Sequence, residues 1–155
     1  QRSFDRRFGQ AIRTRVGSLP GGLPAGRIAA DVLAPAFQGV VAAMLVRPRS
    51  RRAGVEALAA GALAATAARL ARDCIDRPRP GARGDAGFPS RHAAAAVAIA
   101  GAVGRRHPTL RPVLFGAAAL GLTGRIVSGQ HDPADIAAGT LVGAAAGWIT
   151  RGVLR

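Results

Sequence analysis

Five stretches of this chain are apolar and almost free of charge: residues 28–46, 53–68, 93–104, 112–124 and 136–150. That pattern limits the fold more than any other feature. Arginine, proline and glycine separate the stretches, at 18–26, 47–52, 77–89, 105–112 and 130–133. Proline and glycine break helices and make turns, so each stretch is one helix. Only 28–46 reaches by itself the roughly 17–25 apolar residues that cross a bilayer. The other four cross only if each helix runs on into its flanking arginines, whose long stems let the charge reach the head groups. A soluble bundle needs a polar stripe on every helix. The 93–104 and 112–124 stretches have none. Alanine, glycine and valine dominate all five, and small residues suit close helix packing in lipid. The expected fold is all-α: a polytopic membrane helical bundle of about five transmembrane helices.

Ahead of the bundle, Phe4, Phe8, Ile12 and Val16 recur every four residues among Arg6, Arg7, Arg13 and Arg15. This spacing makes one apolar helical face. An N-terminal interfacial amphipathic helix fits it; a disordered basic arm is the alternative. The expected organisation is a single domain over 1–155, with residues 1–26 as the interfacial segment and 27–155 as the helical core.

The net charge is +14 and lysine is absent, so every basic side chain is arginine. Such an excess points to an anionic partner: nucleic acid, a membrane surface or phosphorylated molecules. Aromatic content is 4% and tyrosine is absent, which leaves little for bases to stack on. Nucleic acid is therefore not the expected partner. Cys74 is the single cysteine, so no intrachain disulfide forms and no zinc cluster is spelled out. The chain opens on Gln1 and shows no signal-peptide pattern. If five helices span, Arg47, Arg49, Arg51, Arg52, Arg105, Arg106, Arg111, Arg151 and Arg155 share one side. The positive-inside rule makes that side cytoplasmic, although the N-terminal arginines count against it.

Three short segments at the opposite helix ends carry the chemistry. The first reads R-D-C-I-D-R-P-R-P, with Arg72 and Arg79 set to converge on one phosphate. A plain membrane-flanking basic cluster is the alternative. The second reads P-S-R-H, in which Ser90 is a natural N-cap. Free amides at a helix start bind anions, and His92 falls in the first turn. The alternative is an ordinary cap followed by a surface histidine. The third reads R-I-V-S-G-Q-H-D-P-A-D, from Arg125 through His131 to Asp135. Asp132-Pro133 starts a helix. Asp135 then either complements the helix dipole or bonds one nitrogen of His131 and leaves the other free to attack. Arginines to hold a phosphate, two histidines and a carboxylate make a set for metal-free phosphoryl transfer through histidine. His107 lies at the other end and is assigned no role.

Together the three segments resemble the type-2 phosphatidic-acid phosphatase family, which includes polyprenyl-pyrophosphate phosphatases. The family pattern is Lys-x6-Arg-Pro, then Pro-Ser-Gly-His, then Ser-Arg-x5-His-x3-Asp. This chain has Arg72-x6-Arg79-Pro80, Pro89-Ser90-Arg91-His92 and Gly124-Arg125-x5-His131-x3-Asp135. Arg72 stands for lysine, Gly124 for serine and Arg91 for glycine. The resemblance implies that Arg72, Arg79 and Arg125, with Ser90, hold the phosphoryl oxygens. It implies that His131, oriented by Asp135, attacks phosphorus, and that His92 protonates the leaving oxygen. Arg91 is expected either to contact a second phosphate or a sugar phosphate or to crowd the pocket. No metal and no cofactor is implied. The implied substrate is a lipid phosphate in the bilayer of a bacterial plasma membrane, with the active site extracytoplasmic. Polyprenyl carriers lead: undecaprenyl or decaprenyl pyrophosphate, or decaprenylphosphoryl-5-phosphoribose, since the arginine-rich, lysine-free composition suggests a high-GC actinobacterial genome. Phosphatidic acid and phosphatidylglycerol phosphate are the alternatives, and an inactive lipid-phosphate-binding scaffold is the alternative of another class. Oligomeric state is left open.

Overall fold

The computed structural model describes residues 2–75 and 87–154, with side chains from residue 5 onward. Its elements are α1 (Arg2–Gly17), α2 (Gly22–Val46), α3 (Arg51–Ile75), α4 (Arg91–Arg106), a 3-10 turn (Pro108–Leu110), α5 (Arg111–Val127) and α6 (Pro133–Val153). Among the described residues there is no strand. Each apolar stretch is one helix, and each helix runs beyond its stretch. Extension is largest in α3, which continues past residue 68 to Ile75. The chain is a polytopic helical membrane protein.

Helices α2, α3 and α6 are long and apolar enough to cross a bilayer, and so is α5 together with the 3-10 turn that leads into it. Helix α4, at 16 residues, spans about 24 Å at 1.5 Å per residue. It occupies the middle of the bundle, packed against α3, α5 and α6. This central position explains its composition. Ala93, Ala94, Ala98, Ala100, Ala102 and Val103 are all buried. Outward positions of the other helices carry Val32, Leu58, Leu120, Leu141 and Trp148, all more than half exposed. An apolar exterior around an apolar core is what lipid requires and water penalises.

Small residues set the helix spacing. A side chain at Gly139 would strike the carbonyl oxygen of Ser90, and one at Gly143 the carbonyl oxygen of Ala94. At Gly147 the Cα of Ala98 is the matching neighbour, at 3.9 Å. Steps of four on both helices make α4 and α6 parallel and nearly backbone to backbone, as small-xxx-small seams do in membranes. Helix α3 instead runs antiparallel to α4. Its Gly61 lies against Ile99, and its Glu56 pairs with Arg106. The starts of α4 and α6 therefore share one end of the bundle with the ends of α3 and α5.

The N-terminal segment is a helix, not an arm. It lies across the shared end: Asp5 accepts a hydrogen bond from the amide of Ala134 at 3.0 Å, and Gly9 sits on Pro133. Arg13 approaches Asp132 at 3.8 Å. Helix α2 starts at Gly22, earlier than the expected boundary after residue 26.

Candidate active site

The site is built where α5 turns into α6. Helix α5 ends at Val127, and Gly129 takes φ +71, the left-handed conformation that glycine adopts without cost. The chain then folds back. The amides of Gln130 and His131 both donate to the carbonyl of Arg125, at 2.9 and 3.2 Å. This closure gives the five-residue gap between Arg125 and His131 its physical meaning, because one helix end and one return turn occupy it.

Helix α6 begins at once. Asp132 is the N-cap, Pro133 is N1, and Asp135 at N3 completes a capping box. Asp135 Oδ2 accepts from the amide of Asp132 at 2.9 Å and faces His131 Nδ1 at 3.4 Å. One carboxylate thus performs both roles expected for it, steadying the helix start and orienting the ring. His131 and Asp135 are 3% and 2% exposed, so their contact is sheltered from water and holds the ring firmly. With Nδ1 turned to Asp135, Nε2 is on the opposite side of the ring from the carboxylate.

Arg125 is also buried. Its guanidinium donates to Gln130 Oε1 at 2.7 Å and to the carbonyl of Ala30 on α2 at 2.8 Å. These bonds aim the arginine beside the His131 turn. Gln130 and the Ala30 carbonyl were not legible as site residues, since a glutamine in a turn and a backbone oxygen on another helix carry no local signal.

The P-S-R-H segment docks onto the same turn. Ser90 caps α4, accepting from the amide of Ala93 at 3.4 Å, and is fully buried. Its own amide donates to the carbonyl of Asp135 at 2.9 Å. The second and third segments are thereby stitched by one backbone bond plus the Gly139 contact. His92, in the first turn of α4, is half-buried and lines a groove. Arg91 is exposed at the mouth of that groove, so it does not crowd the buried centre.

Arg72 lies in the last turn of α3, at the same end of the bundle, and is half-buried. Arg79, Pro78 and Pro80 lie outside the described residues. Gly124, which stands where the family pattern has serine, is explained by packing. A side chain there would run into the carbonyl oxygen of Gly26 and meet the amide of Ala30 at 3.0 Å. The position serves the close crossing of α5 and α2 rather than contact with a phosphate. His107 caps the far end of α4, away from all of this.

A bilayer-spanning bundle with a buried Asp–His pair, a buried arginine and a capped helix start at one end has the residue types that phosphoryl transfer through histidine uses. The sequence model of the PAP2 superfamily matches residues 36–154, and the chain belongs to that superfamily. Among solved structures, the chain is similar to a transmembrane PAP2-type phosphatidylglycerolphosphate phosphatase from Bacillus subtilis. The TM-score is 0.76 at 19% identity, over 98% of this chain and 85% of that one. No curated protein sequence matches this one.

Proposed function

We propose that this protein hydrolyses the phosphate ester or pyrophosphate of a single-chain membrane lipid through a phosphohistidine on His131. One observation carries the lipid reading. An apolar groove of about 580 Å³ runs between α2, α3 and α4, lined by residues such as Leu33, Phe37, Leu58 and Ile99. Its polar mouth is Arg91 and His92. From Leu33 to Leu45 the groove follows α2 for about 18 Å at 1.5 Å per residue. A phosphate held at the helix ends would therefore have a channel for its hydrocarbon at membrane depth.

The proposed reaction uses these side chains. Arg125 and Arg72, with Arg79, neutralise the phosphoryl oxygens, and the α4 amides behind Ser90 add donors. His131 Nε2 attacks phosphorus and the bond to the leaving oxygen breaks. His92 gives that oxygen its proton. The Asp135 carboxylate stabilises the charge that builds on the His131 ring. Water then attacks phosphorus, with His92 taking its proton; the phosphorus–nitrogen bond breaks, and phosphate leaves with His131 restored. No step calls for a metal.

A groove for one chain favours polyprenyl carriers, either the pyrophosphate or the phosphoribose phosphate. Arg91 at the mouth suits a second phosphate or a sugar phosphate. Phosphatidylglycerol phosphate is the second reading, favoured by the activity of the similar Bacillus subtilis enzyme. We assign the catalytic end to the extracytoplasmic side from Arg47, Arg49, Arg51 and Arg52 at the other end, against the count of Arg6, Arg7, Arg13 and Arg15 in α1, which lies at the catalytic end.

The test is phosphate release by detergent-purified protein in EDTA. The substrates are polyprenyl pyrophosphate, a polyprenyl phosphoribose phosphate, phosphatidic acid and phosphatidylglycerol phosphate. Release from a polyprenyl lipid that survives EDTA is expected. Preference for a two-chain lipid would replace the polyprenyl reading, and no release from any of the four would favour a lipid-phosphate-binding scaffold.

A further inference from the structure

A second charge cluster lies at the end of the bundle away from His131, and the phosphatase reaction does not use it. Glu56, near the start of α3, is 7% exposed. Both its oxygens accept from Arg106 Nε of α4, at 3.1 Å each, and a second nitrogen of Arg106 closes the fork. Arg52 Nε lies 3.8 Å from the same carboxylate and donates through another nitrogen to the carbonyl of Leu154, just past α6, at 3.4 Å. One carboxylate thus gathers the start of α3 and the ends of α4 and α6.

Around it opens a cleft of about 560 Å³, lined by Glu56, Arg105, Arg106, Arg151 and Leu154. Arg52, Arg105, Arg106 and Arg151 supply four positive charges against the single charge of Glu56, a balance of three positive. Arg106 and Arg52 occupy the carboxylate. Among the described residues, no acid lies within ion-pair distance of Arg105 or Arg151. The Arg105 guanidinium lies along the α4–α6 seam, 3.8 Å from where side chains at Gly101 and Gly147 would begin. Two glycines leave room for it there.

The depth of the cleft names its source of anion. It sits at the helix ends, and Trp148, one turn before Arg151 on α6, is 74% exposed. Tryptophan at that level and a ring of arginine mark the head-group zone. Basic pockets between helices at this depth suit phosphate head groups.

We propose that this cleft binds the phosphodiester head group of an anionic phospholipid from the leaflet opposite the catalytic end, with Arg105 and Arg151 as its main donors. The lipid would complete the charge balance and clamp α3, α4 and α6 together. At their other ends α3 carries Arg72, α4 carries His92, and α6 follows directly on the His131 turn. A dissolved phosphate offers the same oxyanion chemistry, but the cleft opens where lipid head groups are concentrated.

The experiment titrates the detergent-purified full chain with phosphatidylserine and counts bound lipid by native mass spectrometry. Phosphatidylcholine and inorganic phosphate are the parallel arms. Phosphatidylserine should bind in preference to both. The Arg105→Gln/Arg151→Gln double variant should bind it about 30-fold more weakly, from roughly 1 kcal/mol per charge near the surface at 1.4 kcal/mol per tenfold. Phosphatase activity in lipid-free detergent checks that the variant is folded. Should it not fold, Arg151→Gln alone should weaken binding about fivefold on the same arithmetic. Equal affinity of variant and wild type would overturn the proposal. So would phosphatidylcholine binding as well as phosphatidylserine, or full displacement of the lipid by equimolar inorganic phosphate.

Discussion

Replacing Gly139 with alanine adds one methyl group at the seam that holds the active site together. Its Cβ would stand 2.9 Å from the Cβ of Ala93 and 3.1 Å from the carbonyl carbon of Ser90, with the Ser90 oxygen nearer still. Ordinary carbon contacts lie at about 3.5–4.0 Å. Helix α6 must therefore withdraw from α4 by roughly 1 Å. The Ser90 amide to Asp135 carbonyl bond, now 2.9 Å, would lengthen past hydrogen-bonding range. Overpacking costs about 1–3 kcal/mol and the lost bond about 1 kcal/mol more. The larger effect is on rate. His92 travels with α4 and His131 with α6, and a misplacement of about 1 Å costs around 100-fold. Phosphate release by the purified variant should fall by that factor, with a lower unfolding midpoint. Gly143→Ala meets the same obstacle one turn further from His131, so it should lose similar stability and less rate. Gly147→Ala has its nearest neighbours at 3.8 Å and should stay within about twofold of wild type, being no closer than ordinary contact. If Gly139→Ala turns over as fast as Gly147→Ala, the seam does not position the site and the argument fails.

The histidines separate by place. His131→Ala should abolish turnover and His92→Ala should cost about 10²–10⁴-fold, the usual worth of a general acid, whereas His107→Ala should leave the rate unchanged. Wild-type turnover by His131→Ala would end the phosphohistidine mechanism. Cys74 is exposed in the last turn of α3, at the catalytic end. A membrane-impermeant maleimide should label it in intact cells; labelling only after lysis would place the catalytic end in the cytoplasm.

Much of this protein was legible along the chain, for one physical reason. A helix, its cap and its breaker are decided within a few residues. The apolar stretches therefore read as helices, Ser90 as a cap and Asp132-Pro133 as a start, and each has that form. Helix extension was legible too. A helix that crosses the bilayer has to run on into its flanking arginines, and α3 does so through Arg69 and Arg72 to Ile75, because arginine stems carry their charge into the head-group zone.

The site was legible as a set of residue types at fixed spacings. What those spacings do was not. The five residues between Arg125 and His131 are a helix end with a left-handed glycine and a return turn onto the Arg125 carbonyl. The Gly139-x3-Gly143-x3-Gly147 series was present in the sequence, yet its partner was not. Only the packed bundle shows that Ser90, Ala94 and Ala98 face it.

The sequence alone therefore determined that the chain makes apolar helices with arginine ends, and which histidines, arginines and aspartate stand at those ends. Tertiary structure decided which ends meet. It laid α1 over the start of α6, set α4 in the centre, seated Gly124 against α2, and opened the apolar groove between α2, α3 and α4. The reason is one of range. Hydropathy and capping act between neighbours in sequence, whereas a seam, a groove and a buried Asp–His pair depend on surfaces brought together from distant parts of the chain.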